Sequence, residues 1–133
     1  MSAHFLAPML DAPSRRWRLV HEPSGATVAD TLHAAFDSAS RRTGLLGKDG
    51  WPAGEGLVIA PCQAVHTIGM RFAIDVLYVR RNGTVEKVSR TVKPWRLSGA
   101  WRAFAVIEVA AGVCDACAPG MVPGDRVTVV PGD

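Results

Sequence analysis

The stretch Arg71-Phe72-Ala73-Ile74-Asp75-Val76-Leu77-Tyr78-Val79-Arg80 decides how this chain folds. On an extended backbone, Phe72, Ile74, Val76 and Tyr78 share one face, while Ala73, Asp75, Leu77 and Val79 share the other. Both faces are apolar apart from Asp75, which makes this the strongest strand in the chain. Asn82-Gly83 follows, the preferred dipeptide of a two-residue type I′ hairpin, so Thr84 to Val92 reads as the partner strand.

Working outward, Leu57-Val58-Ile59-Ala60 reads as a buried strand ending at Pro61. Before it, Leu45 to Gly56 holds four glycines and a proline and is a loop, anchored by Leu45, Leu46 and Trp51. Further back the period changes. Leu32, Ala35, Phe36, Ala39 and Thr43 fall on one helical face after Asp30 or Thr31 as N-cap, with Arg41 and Arg42 in the last turn and Gly44 as the stop. On that helix His33 and Asp37, four apart, form a surface pair. Arg16 to His21 alternates as a strand, Glu22-Pro23-Ser24-Gly25 turns, and Ala26 to Ala29 returns.

Beyond the hairpin, Lys93 to Gly99 is a connection, Trp101 to Ala111 a long strand, and Val113 to Ala118 one helical turn. Pro123-Gly124-Asp125 then turns the chain into Arg126 to Val130. The sum is a mainly β fold, a small β-sandwich or partly open barrel of about seven short strands with one principal α-helix. Residues 1–14 are expected to be a flexible N-terminal arm and 15–133 a single β-rich domain.

Composition sets the outer bounds. A chain of 133 residues buries roughly two-thirds of its unfolded surface. The net charge of +3 is too small to argue nucleic acid, which is not expected as a partner. No apolar run approaches the roughly 20 residues of a membrane helix, so no membrane partner is expected either. Met1 to Leu10 lacks a basic start and does not read as a signal peptide, so a cytoplasmic location follows. Three cysteines, an odd number, do not suggest a disulfide framework.

Asp75 and Glu108 stand out. Each is a carboxylate inside an apolar strand, and an isolated buried charge costs several kcal/mol. Each must be paired, hydrogen-bonded or protonated, and Arg42, Arg71 and Arg102 are candidate partners.

Several short blocks now carry a resemblance: Arg42-Thr43-Gly44-Leu45-Leu46-Gly47, Gly56 to Cys62, Val65 to Asp75, Asn82 to Val85, Pro94-Trp95-Arg96, Val106 to Gly112, and Gly124-Asp125. In order and spacing they resemble the family catalogued as domain of unknown function 192, over about Asp30 to Val130. The resemblance implies a small, mostly β domain of bacteria or archaea, with no reaction established. Some members replace His66-Thr67 with a Trp-Met pair followed by Lys-Asn-Thr, whereas this chain carries the His-Thr-x-Gly-Met-Arg version. Asp75 and Glu108 match positions present in both. Many relatives carry an export signal, and the Cys114-x-x-Cys117 pair lies outside the pattern.

The chemistry divides into alternatives. His66, Thr67, Arg71 and Asp75, with Trp95 as a wall, form a candidate ligand-binding group where the chain enters the central strand. The unknown ligand is a small molecule or a protein partner. His66, Asp75 and Glu108 are the candidates for hydrolase-like acid–base work, and whether the protein is an enzyme stays open. Cys62, His66, Cys114 and Cys117 have spacings that a Cys₃His metal site uses, although no metal or other cofactor is expected. Trp17, Trp95 and Trp101 sit beside cations, an arrangement found in single-stranded nucleic-acid binders and, more commonly, in ordinary ring anchors.

Overall fold

The computed structural model describes residues 4–132. Its elements run α1 (Ala7–Asp11), β1 (Trp17–His21), β2 (Ala26–Ala29), β3 (Thr31–Ala35), α2 (Ser38–Thr43), β4 (Glu55–Ile59) and β5 (Ala64–His66). They continue with β6 (Ile74–Val79), β7 (Val85–Val92), β8 (Leu97–Gly99), β9 (Ala105–Ala110), α3 (Val113–Cys117) and β10 (Val127–Pro131). The protein is mainly β. A five-stranded sheet runs β3-β4-β9-β6-β7, a three-stranded sheet runs β10-β1-β2, and β5 pairs with β8 as a separate ribbon. All pairings are antiparallel except β3 with β4. Among the described residues no sheet closes into a barrel, and no helix is long and apolar enough to cross a membrane.

The continuous apolar runs make sense once both faces of the large sheet are covered. From β6, Leu77 and Val79 join one core with Ile107 and Val109 of β9, Leu19 of β1 and Val127 of β10. Ile74, Val76 and Tyr78 join a second core with Val106, Ile59, Leu45 and Met70. Every residue of β6 is buried, and each large apolar side chain withdrawn this way contributes on the order of 1.5–3 kcal/mol. A strand covered on both sides needs no polar alternation.

The principal helix is shorter than the sequence pattern suggests. Thr31–Ala35 is strand β3, paired in parallel with β4, and α2 starts only after Asp37, whose side chain accepts a hydrogen bond from the Ser40 amide at 2.8 Å. Leu32 and Ala35, three apart, look like one helical face. On a strand the same spacing sends them to opposite faces, Leu32 into the first core and Ala35 into the second. His33 consequently pairs across the strands with Glu55 at 2.7 Å, not with Asp37. The parallel β3–β4 pair requires a crossover, and α2 with the loop behind it supplies that connection.

Other boundaries shift for local reasons. Three strands beyond the expected seven, β3, β5 and β8, bring the count among the described residues to ten. Within the arm expected over 1–14, Leu6 and Met9 around α1 insert into the first core; residues 1–3 lie outside the described residues. The β6–β7 hairpin forms at the expected place with a different turn. Gly83 N–H bonds Arg80 O at 3.0 Å, and Gly83 alone of the pair takes positive φ, so the loop is a turn with a glycine bulge instead of type I′. No side chain fits there, since a Cβ on Gly83 would meet Val127 O at 2.7 Å.

Candidate functional site

The two carboxylates singled out by the sequence leave the same sheet on opposite sides. In the β6–β9 register Asp75 stands opposite Val109, and Val76 stands opposite Glu108. One register step separates the acids, which sends their side chains to different faces. They do not form a carboxylate pair.

Asp75 is fully buried, and the backbone satisfies it. One oxygen accepts the Thr91 amide at 2.8 Å; the other accepts the amides of Gly112 at 3.0 Å and Cys114 at 3.1 Å. The carboxylate thereby ties the end of β7 to the start of α3. Among the described residues no arginine contacts it. Arg71 pairs with Asp49, and Arg102 lies over the Trp101 ring at 5.0 Å. His66 is on the other side of the sheet, so it is not oriented by Asp75.

The remaining members of the expected ligand group separate by role. Thr67 is fully buried; its hydroxyl donates to Lys93 O at 2.6 Å and accepts from the Arg96 amide at 2.9 Å. It fastens the segment after β5 to the one before β8. Trp95, held in this turn, points into solvent, and Arg71 is exposed.

Glu108 is where the structure concentrates chemistry. Its side chain forms the floor of a cavity of about 380 Å³ beneath the second-core face of the sheet. Ile59, Cys62, Val65 and Met70 build the walls, Gly44 and Leu45 close one side, and His66, Arg41 and Arg42 stand at the mouth. Glu108 is only 3 % exposed, and its Oε1 has no hydrogen-bond partner among the described residues. Burial pushes its pKa up to about 7. The buried Tyr78 hydroxyl, which has Ser98 beside it, and the half-buried Cys62 thiol belong to the same neighbourhood. Both are pushed up first by burial, and the Glu108 charge adds to this. Such a floor donates a hydrogen bond when protonated and accepts one when ionised, with both forms populated near neutrality.

A second, larger cleft of about 680 Å³ runs between α1 and β3, past Arg15, Arg16 and His33, with no buried ionisable group in its lining. The four residues with metal-like spacing do not converge. Cys62 and His66 line the Glu108 cavity, while Cys114 is in the core on the opposite face. Among the described residues no three His, Cys, Asp or Glu side chains are grouped to hold a metal ion.

The sequence grouped Glu108 with His66 for acid–base work and offered Arg42 as a partner for the buried acids, and all three line this cavity; Gly44, Arg41 and Met70 were missed as parts of it. The available signal was the block Arg42-Thr43-Gly44-Leu45-Leu46, which carries part of the family resemblance and marks the end of a helix and the start of a loop.

Comparison with known proteins places the fold. A family model described as an uncharacterised ACR matches residues 19–129. A protein from Sinorhizobium meliloti 1021, named only provisionally as a transcription regulator, is similar at TM-score 0.73 and 22 % identity, over 86 % of this chain and 92 % of its own. A protein of unknown function from Novosphingobium aromaticivorans DSM 12444 is similar at TM-score 0.70 and 20 % identity, over 84 % of this chain and 82 % of its own. No curated protein matches.

Proposed function

We propose that this chain, which belongs to the DUF192 family, binds a small ligand in the cavity that ends on Glu108. The observation that carries the reading is the unpartnered, buried Oε1 of Glu108 at the floor of a cavity open to solvent. Buried polar atoms are almost always hydrogen-bonded, and one left without a partner at a cavity floor fits a group whose partner arrives with a ligand. The mouth suggests the other end of that ligand. Arg41 and Arg42 favour an anionic group there, with His66 beside them. The fitting class is a small organic anion with a hydroxyl, amino or carbonyl group at its far end. A bacterial, cytoplasmic setting goes with this reading.

A second reading rests on the same residue. A carboxyl that titrates near neutrality is suited to general acid–base chemistry, and His66 shares the cavity. Both readings are tested with a thermal-shift panel of hydroxy acids, amino acids and sugar phosphates, followed by calorimetry and turnover assays on any hit. Binding that weakens about tenfold or more in Glu108→Gln and in Arg42→Glu supports the first. Turnover lost in Glu108→Gln with binding retained supports the second. A ligand whose affinity neither variant changes removes the cavity from both.

A further inference from the structure

We propose that the β5–β8 ribbon docks on the surface of an anionic lipid bilayer. Four large apolar side chains crowd this ribbon in full view of solvent: Leu97 is 78 % exposed, Trp101 77 %, Trp95 66 % and Ile68 44 %. They are neighbours by hydrogen bonding as well as by sequence. Leu97 stands opposite His66, the Trp95 amide bonds Thr67 O at 2.9 Å next to Ile68, and the Gln63 side chain bonds Trp101 O. Large apolar side chains exposed together on one ribbon and its flanking turns mark an interaction surface.

The exposure of Trp95 is built in. Its φ of 67° lies in the left-handed region, where a bulky side chain is rarely found and is held only by surrounding structure. Thr67 supplies that hold through Lys93 O on one side and the Arg96 amide on the other. Strain is thus maintained to keep an indole in water.

Charge identifies the occupant. From Lys87 to Ile107 the chain has five cations and no carboxylate, and no carboxylate occurs between Glu55 and Asp75. Arg90 is paired with Asp115, but Lys87, Lys93, Arg96 and Arg102 have no carboxylate partner among the described residues. These four exceed the net charge of +3 of the whole chain. Tryptophan with arginine and lysine, free of acids, is the composition that settles at the headgroup level of an anionic leaflet. A second copy of the chain would bring like charges together, and nucleic acid would leave Leu97 and Ile68 without a planar face to stack on. Docking of this kind involves no membrane-crossing helix, so it stands apart from the expectation of no membrane partner, which rested on the length of apolar runs alone.

The experiment is flotation of the whole protein with phosphatidylcholine vesicles, with and without phosphatidylglycerol, alongside tryptophan emission. The expected result is binding to the phosphatidylglycerol vesicles only, weakened by salt, with a blue shift of the emission. Because all the altered residues are exposed, Trp95→Ser/Trp101→Ser and Arg96→Glu/Arg102→Glu should stay folded by circular dichroism and bind roughly tenfold or more weakly. Equal binding to both vesicle types, or to neither, overturns the proposal. So does tighter binding to a single-stranded oligonucleotide, or a dimer that shields both tryptophans from a soluble quencher.

Discussion

Gly44 stands over Glu108: a Cβ at Gly44 would lie 3.7 Å from Glu108 Oε1 and 3.9 Å from Ile59 Cδ1. The residue that ends α2 is therefore also a wall of the candidate site. There is room for a methyl group, but not the backbone for one. Gly44 has φ 49° and ψ −126°, a combination that L side chains avoid. Gly44→Ala is expected to lose about 1–3 kcal/mol of stability in urea titration. An unchanged midpoint would mean that the helix end relaxes without strain.

Glu108 makes stability depend on pH in a definite direction. Its folded pKa of about 7 lies above the ordinary 4.5, so the fold favours the protonated form. Its contribution is fully present below pH 4.5, falls as the unfolded chain ionises, and is lost once pH passes about 7. The loss across that window is about 3 kcal/mol. Glu108→Gln keeps the shape and cannot titrate. Denaturation at several pH values should show the variant gaining on the parent between pH 4.5 and 7, and a constant difference would contradict this.

Asp75 carries a structural load that substitution should expose. Asp75→Ala strands three amide donors, those of Thr91, Gly112 and Cys114. Each costs on the order of 1–3 kcal/mol when buried without a partner, so a total near 3–5 kcal/mol is expected after partial relaxation. Asp75→Asn retains one acceptor oxygen and should fall between the two. Equilibrium unfolding checks the order, and an Asn variant as weak as Ala would show that both oxygens are indispensable.

Cys114 should be chemically silent in the native state. It is fully buried, and burial together with the neighbouring Asp75 carboxylate pushes its thiol up to about 12. Native labelling with a thiol reagent, read by mass spectrometry, is expected to modify half-buried Cys62 and Cys117 before Cys114, which reacts only on unfolding. Early labelling of Cys114 would show that α3 opens locally.

Seven of the ten strands among the described residues are legible because each carries a local signal: an apolar run, an alternation or a turn dipeptide. The missed ones have weak signals. Ala64–His66 and Leu97–Gly99 are three residues each, and the two have little β propensity beyond Val65. They exist because each pairs with the other across about thirty residues of chain. Thr31–Ala35 reads as helix because Leu32 and Ala35, three apart, share a helical face, whereas on this edge strand they enter different cores.

Three things are plain from the chain before it folds: its centre is β-structured, Asp75 and Glu108 are anomalous within that centre, and its motifs follow the DUF192 order. The first two follow from local composition and periodicity, which a short window of the chain contains, and the third from the order of blocks spread along most of its length. The surroundings of each acid are set by folding. The β6–β9 register differs by one step at the two positions, so one carboxylate meets three backbone amides in the first core and the other faces a cavity with no partner. Register is a relation between strands separated along the chain, and no reading of either strand alone contains it.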